Sequence, residues 1–274
     1  MKATLAPLSN DQLFKYAPSI FAVEPWAEVS EKYRFIPTLQ VVEKMREQGF
    51  FPVRAEQSRT RIEGKGDFTK HMIRFRQAQH VSTVGAVVGD EFPEIVLVNS
   101  HDRTSGYQLH AGVFRLACLN GMVVKSSDFG SINVRHSGNV LDEVIEGTFK
   151  IVEDMPELMN RVEEFKSITL APAEREAFAD AAVQLRYPTD EAGNDTAPIT
   201  GSQLLTPRRW DDKNKTDLWA TFNTVQENFI RGGLRGRGTT GKRTTTREIK
   251  SVNEDMRLNK ALWVLADAMK QHKS

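Results

Sequence analysis

The chain has 274 residues but a single cysteine, Cys118. One thiol cannot close an internal disulfide or supply a thiolate pair for zinc, so nothing requires an oxidising compartment. Long apolar runs are missing as well. No stretch approaches the ~20 residues that span a bilayer, and residues 1–10 hold no continuous apolar signal core, so the expected location is cytoplasmic with no membrane partner. Metal-site spacing is also absent. The six histidines, at 71, 80, 101, 110, 136 and 272, never recur at the short intervals of a zinc site, and no metal or other cofactor is expected. Finally, there is no excess of either charge: 37 Lys and Arg stand against 36 Asp and Glu, a formal net charge of +1. A protein basic all over its surface is excluded, while 39% hydrophobic residues are enough to bury a sizeable core.

The near-neutral total hides a concentrated patch. Between Arg231 and Lys250 stand seven cations, Arg231, Arg235, Arg237, Lys242, Arg243, Arg247 and Lys250, against one acid, Glu248, for a local charge of +6. The rest of the chain is therefore acidic on balance. Glycines at 232, 233, 236, 238 and 241 leave backbone amides uncovered and let the segment follow a ligand's contour. A nucleotide-triphosphate loop fits Gly236 to Lys242 by pattern but fails in context. Arg243 stands where Ser or Thr should hold magnesium, and a helix precedes where a strand is needed. A flexible linker does not need seven cations. A loop that grips a nucleic-acid backbone accounts for both the glycines and the charge.

A second basic element lies near the N-terminus. The period-two pattern of 51–77, with a turn signal at 63–67, reads as a long hairpin. Lys70, Met72, Arg74 and Arg76 fall on one face of its second arm, opposite His71, Ile73 and Phe75, and the first arm adds Arg54, Arg59 and Arg61. One face is expected to be core and the other basic, at a net +4 that includes Lys65, Glu56, Glu63 and Asp67. A solvated sheet face protected from aggregation is the plainer reading. The candidate nucleic-acid-binding set is thus Arg54, Arg59, Arg61, Lys70, Arg74, Arg76, Arg231, Arg235, Arg237, Lys242, Arg243 and Arg247.

The loop 100–106, with Ser100, His101, Asp102 and Ser105, contains the residue types of a hydrolase. His101 and Asp102 are sequence neighbours, which face opposite sides in extended chain, and no G-x-S-x-G elbow surrounds either serine. No catalytic residue is assigned.

The remaining patterns set the fold class. A helix over 39–48 is expected with Thr38 as its N-cap, strands over 94–99 and 107–114, and further sheet over 123–134. Helices follow over 139–165, started or kinked at Pro156, over about 171–185, and over 218–230 with Leu218, Phe222, Val225 and Phe229 on one stripe. The final helix shows Leu258, Leu262, Leu265 and Met269 on its apolar face. The class is α+β: an antiparallel sheet with a long basic hairpin in the N-terminal half, and C-terminal helices packing on it. Its parts are a sheet-rich region at 1–137, a helical region at 138–186, an irregular connection at 187–217, and two helices flanking the Gly/Arg loop at 218–274, in one integrated domain.

Several segments together resemble a known family. They are Tyr33-Arg34-Phe35-Ile36-Pro37-Thr38, Thr69-Lys70-His71-Met72, Val98-Asn99-Ser100-His101, Cys118-Leu119-Asn120-Gly121, Leu205-Thr206-Pro207-Arg208-Arg209, Trp219-Ala220-Thr221-Phe222-Asn223-Thr224 and Arg257-Leu258-Asn259-Lys260. Their combination resembles the phage- and plasmid-associated family called domain of unknown function 932 over nearly the whole chain. The resemblance implies carriage on mobile elements among genes of DNA processing and antirestriction, and no catalytic residues. Mobile elements commonly encode single-strand annealing proteins. Those of the Rad52 type share a helix, a curved sheet with a basic hairpin, and self-assembly into rings, an analogy of architecture alone. The expected function is sequence-independent binding or annealing of single-stranded DNA by a homo-oligomer, with duplex DNA and RNA left open. The alternatives are an interaction protein that counters a host defence system, and a metal-dependent nuclease or hydrolase at the His101-Asp102 loop.

Overall fold

A computed structural model describes residues 6–26, 35–81, 90–116, 121–123, 131–134 and 139–273. The expected sheet around Val123 to Val134 lies in part outside these residues, as does Cys118. The chain divides into two compact units, one of Met1–Pro156 with Lys250–Val252 and one of Glu157–Ile249 with Asn253–Ser274.

The first unit is built on an antiparallel sheet. Its strands are β1 (Phe50–Gln57), β2 (His71–Gln77), β3 (Glu91–Asn99), β4 (Tyr107–Arg115), β5 (Gly121–Val123) and β6 (Ser131–Val134). The order is β1-β2-β3-β4-β5, with β6 also paired to β4. The far edge of β4 is therefore shared, β6 taking Tyr107 to His110 and β5 taking Gly112 to Phe114. The basic hairpin exists as β1 and β2, but its strands are joined by a longer excursion through residues 58–70. Ahead of the sheet come α1 (Asn10–Tyr16), closed by a Ser9–Gln12 capping box, and α2 (Thr38–Glu47), which buries Thr38, Val41, Val42 and Met45. Gly49 follows α2 at φ +81°, a left-handed turn that glycine adopts without strain.

A long helix, α3 (Val140–Ser167), contains Pro156, and the two units divide immediately after that proline. Within the first unit α3 crosses the sheet at Gly147, where a Cβ would press on Leu109 and Ile132 at 3.0 and 2.9 Å. A larger residue there would have to displace the ends of these two side chains. Phe149, two residues on, meets Phe50 edge-on.

Thr38 is not the N-cap of α2; Pro37 holds that place, and the threonine hydroxyl points inward instead. It lies 2.9 Å from His71 Nε2, 3.1 Å from His101 Nε2 and 3.3 Å from the Tyr107 hydroxyl, and it accepts from Asn99 Nδ2 at 3.0 Å. The other ring nitrogen of His71 meets Ser19 Oγ at 3.0 Å. One hydroxyl thus ties α2 to three strands, in a setting where unmade polar bonds are costly.

Burial depresses the His71 pKa to about 4 from 6.5, outweighing the Thr69 carbonyl and Asp102, which both favour the cation. The unfolded chain therefore binds a proton between those two values that the folded chain refuses. Stability from this group is complete above pH 6.5 and is lost as pH falls toward 4, by on the order of 3 kcal/mol. Thermal melts from pH 7 to pH 4 should show this loss. His71→Gln, less stable at neutral pH, should lose less over the same window.

The second unit is helical. Besides the end of α3 it contains α4 (Pro172–Arg186), the short α5 (Gly201–Leu204), α6 (Leu218–Arg231) and most of α7 (Val252–Lys273). Pro172 opens α4 with its φ already fixed, and Glu174 accepts from the Ala171 amide at 2.7 Å. Asp217 caps α6 by accepting from the Ala220 amide. Trp219, Phe222, Phe165 and Trp263 form one aromatic cluster, Trp219 stacking on Phe222 at 5.6 Å. Both tryptophans are core residues. On α7 the buried face carries Met256, Leu258, Leu262, Trp263 and Ala266, while Leu265 and Met269 are only half-buried. Residues 187–217 are more structured than their composition suggests, holding α5 and a 3-10 turn at Trp210–Asp212.

Candidate nucleic-acid interface

The Gly/Arg segment folds into a ribbon. Arg235–Arg237 (β7) pairs antiparallel with Arg243–Thr245 (β8), matching Arg235 to Thr245, Gly236 to Thr244 and Arg237 to Arg243. It begins where α6 stops, at Gly232 with φ +61°, and here a Cβ would collide with the backbone of Arg247 and Glu248. The glycine lets the outgoing and returning chains cross. Gly233 donates to Thr246 O at 2.7 Å, Leu234 and Thr246 exchange bonds, and Ile249 N reaches Ile230 O. These contacts fix both ends of the ribbon.

One face of the ribbon is covered. A Cβ on Gly236 would sit on the Pro198 carbonyl oxygen, and that oxygen also accepts from Arg237 N at 3.0 Å. Gln203 Nε2 donates to Arg235 O at 2.8 Å. By strand alternation Arg235, Arg237 and Arg243 project from the opposite face. Their chain lines a groove of about 540 Å³ with Thr244 and Thr245. Among the described residues none of Arg235, Arg237, Lys242, Arg243 and Arg247 joins an ion pair, and all five are exposed. Arg237 and Arg243 stand directly opposite each other, an arrangement that costs energy until an anion lies between or over them.

The root of the ribbon is also cationic. Glu227, buried in α6, takes Arg209 at 2.9 Å and Arg231 at 3.2 Å. Arg231 is therefore already engaged. Arg208 donates to Asn228 Oδ1 and to the Gly232 carbonyl, and Arg186 donates to Phe229 O and Arg247 O. Desolvation, with Arg231 nearby, lowers the Arg208 pKa, and Glu227 opposes that shift. Three guanidiniums around one carboxylate leave this root with a surplus of positive charge.

The hairpin is arranged differently from its sequence reading. Arg74 and Arg76 are 2% and 1% exposed, and both close on Glu94, which is 0% exposed, at 3.1 and 2.7 Å. The Arg76 guanidinium also lies 3.9 Å over the Phe114 ring. The expected solvated basic face is thus a buried triad at these two positions, and neither arginine is presented to a polyanion. Alternation put them on one face correctly but could not show that this face is closed too. Arg54 is paired with Glu56 at 2.7 Å, and Lys70 is partly buried, its pKa lowered by desolvation against the pull of Asp102. Arg59 and Arg61 remain exposed on the 58–70 connection.

Two residues of the hydrolase reading meet, Ser100 bonding to the Asp102 carboxylate, while His101 takes other partners. His101 is buried against Thr38, while Asp102 turns to Thr104 and to Lys65 at 3.2 Å. Burial alone would raise the Asp102 pKa, but bonds from Thr104 and Lys65 hold it below the usual range. Ser100 Oγ is occupied by the Ser105 backbone. Among the described residues no three His, Cys, Asp or Glu side chains are placed to hold a metal ion, and no helix is long and apolar enough to cross a membrane.

Fold and ribbon together define an α+β protein that displays unpaired guanidiniums from a glycine-shaped platform. The chain belongs to the family described as domain of unknown function (DUF932), whose pattern matches residues 25–263. Two Escherichia coli (strain K12) proteins, UPF0380 protein YafZ and UPF0380 protein YfjQ, are each 40% identical to it over 263 residues, which is 96% of this chain and 92% of each relative. No solved structure matches it.

Removing one partner of a buried ion pair strands the other, at about 3–5 kcal/mol. Arg76→Ala and Glu94→Gln should each lower the melting temperature sharply, and a loss of only a few tenths of a kcal/mol would show the triad to be solvated. Gly236→Val should separate the ribbon from Pro198, visible as faster amide exchange at Arg237.

Proposed function

We propose that this protein binds the sugar-phosphate backbone of nucleic acid without sequence preference, single-stranded DNA first, through the ribbon of β7 and β8. One observation carries the reading: Arg237 faces Arg243 with Arg235 beside them, on the open side of the ribbon and without an acidic partner. Like charges opposite each other in register repel in the free protein, where the Arg237 guanidinium donates to the Gly241 carbonyl, so an anion that bridges them relieves a cost as well as making bonds. Guanidinium forks match phosphate oxygens two at a time. Residues i and i+2 of a strand lie about 7 Å apart, an interval suited to successive groups of an extended polymer rather than to one small anion.

The same features support a single strand over a duplex. The ribbon is only three residues long on each side and exposed along its edge, a shape that a flexible strand can wrap. Backbone contacts of this kind carry no base information, so binding through them is indifferent to sequence. Arg59 and Arg61, exposed on the hairpin connection of the first unit, are further cations open to a polyanion.

Replacing Arg235, Arg237, Lys242 and Arg243 together with Ser tests the reading. The melting temperature should hold, since exposed substitutions generally cost within ~0.5 kcal/mol. Affinity for single-stranded DNA should collapse, and the slope of log affinity against log salt should flatten by ~0.7 for each phosphate the variant no longer neutralises. Retained binding with an unchanged slope would return the ribbon to a structural role. Parallel titrations with duplex DNA and RNA set the preference.

A further inference from the structure

Trp210 is 81% exposed, the most exposed large aromatic among the described residues. The other indole side chains are used inside the fold: Trp219 and Trp263 are core, and Trp26 packs on Phe68. Leaving an indole in water forgoes the largest hydrophobic gain any side chain offers, so its position calls for a physical account.

Its sequence neighbours carry both signs, Arg208, Arg209 and Lys213 against Asp211 and Asp212. Trp210 opens a 3-10 turn whose third residue, Asp212, is buried. On its N-terminal side Arg209 is held by Glu227, and Arg208 by Asn228 and the Gly232 carbonyl. Gly232 is the residue from which the ribbon departs. Two residues of chain span at most about 7 Å, so the Trp210 backbone lies within that reach of the Arg208 backbone, whose guanidinium is bound at the ribbon's root. On its other side Lys213 places its ammonium 4.7 Å from the ring centroid. The indole therefore has a positively charged neighbour in Lys213, and its chain leads directly from the two arginines bound at the ribbon's root.

We infer that Trp210 is a base-stacking platform: the π face of a nucleobase in a single strand stacks on the indole, while the strand's phosphates engage the ribbon and its root. The inference rests on the proposed backbone binding and adds a contact of different chemistry. Phosphate contacts alone would hold a base-free polymer as well as a natural one, whereas an exposed indole discriminates between them, because only a base supplies a π surface. Every base has such a surface, so the contact adds affinity without sequence preference. Lys213 would move from the indole toward a phosphate when the base arrives, exchanging one cation–π contact for a charge-assisted hydrogen bond.

The experiment compares fluorescein-labelled oligothymidylate of about 16 nucleotides with an abasic deoxyribose-phosphate oligomer of the same length, using the full chain, Trp210→Ala and Trp210→Phe. The wild-type protein should bind the thymidylate about tenfold more tightly than the abasic oligomer. Trp210→Ala should erase that preference and leave abasic binding and melting temperature unchanged, while Trp210→Phe should retain most of it. Thymidylate should also quench the intrinsic tryptophan emission of the wild type, and the quenching should disappear in Trp210→Phe. If the wild type binds both oligomers equally and the ribbon variant binds neither, the stacking inference fails and the backbone reading stands. If the wild type binds neither oligomer, both fail. A Trp210→Ala protein that binds the abasic oligomer well below the wild-type level would also overturn the inference, since the indole would then support the ribbon rather than a base.

Discussion

Every residue of α6 from Leu218 to Ile230 is buried, polar ones included, and the candidate site hangs from its C-terminal end. A helix buried all round cannot rely on water to satisfy its polar side chains, so they turn to partners within the protein. Asn228 donates to Leu204 O and Thr206 O, Gln226 donates to Asn259, and Glu227 draws in Arg209 and Arg231. These bonds bring residues 204–209 against the helix and fix where Gly232 leaves it. The ribbon is held in place by this constraint, although its own pairing covers only three residues on each strand.

The two clusters of arginines show how the same side chain takes opposite roles. Arg74 and Arg76 share the Glu94 carboxylate at the sheet and are withdrawn from solvent, whereas Arg235, Arg237 and Arg243 pair with no acid and remain in it. Desolvation decides the difference. A guanidinium taken out of water must be matched by a carboxylate or an aromatic face, and the sheet supplies both in Glu94 and Phe114. The ribbon lacks this covering on its arginine side, because its one packed face is the glycine side against Pro198.

Much of the outline was readable from residue order. The α+β class, the strands and their alternation, the helix over 218–230 with its apolar stripe, and family membership all follow from local patterns that a packed structure must respect. The departures share a cause. Thr38 has the look of an N-cap, yet its hydroxyl serves His71 and His101, which are 33 and 63 residues away. Trp210 stands in a Pro-, Asp- and Asn-rich stretch without apolar periodicity, and the tie of that stretch to the ribbon's root, through Arg208 and Gly232, is a contact across 24 residues.

The sequence by itself determined what is local: periodicity, caps, breakers, and the accumulation of charge between Arg231 and Lys250, since each is a property of neighbours along the chain. Only the tertiary structure decided which charges are opposed. Whether a given arginine meets a carboxylate depends on strands and helices far apart in sequence, as Glu94 does for Arg76 and Glu227 for Arg209. Burial then sets the consequence, because the energy of a charge depends on the medium around it, and residue order does not specify that medium.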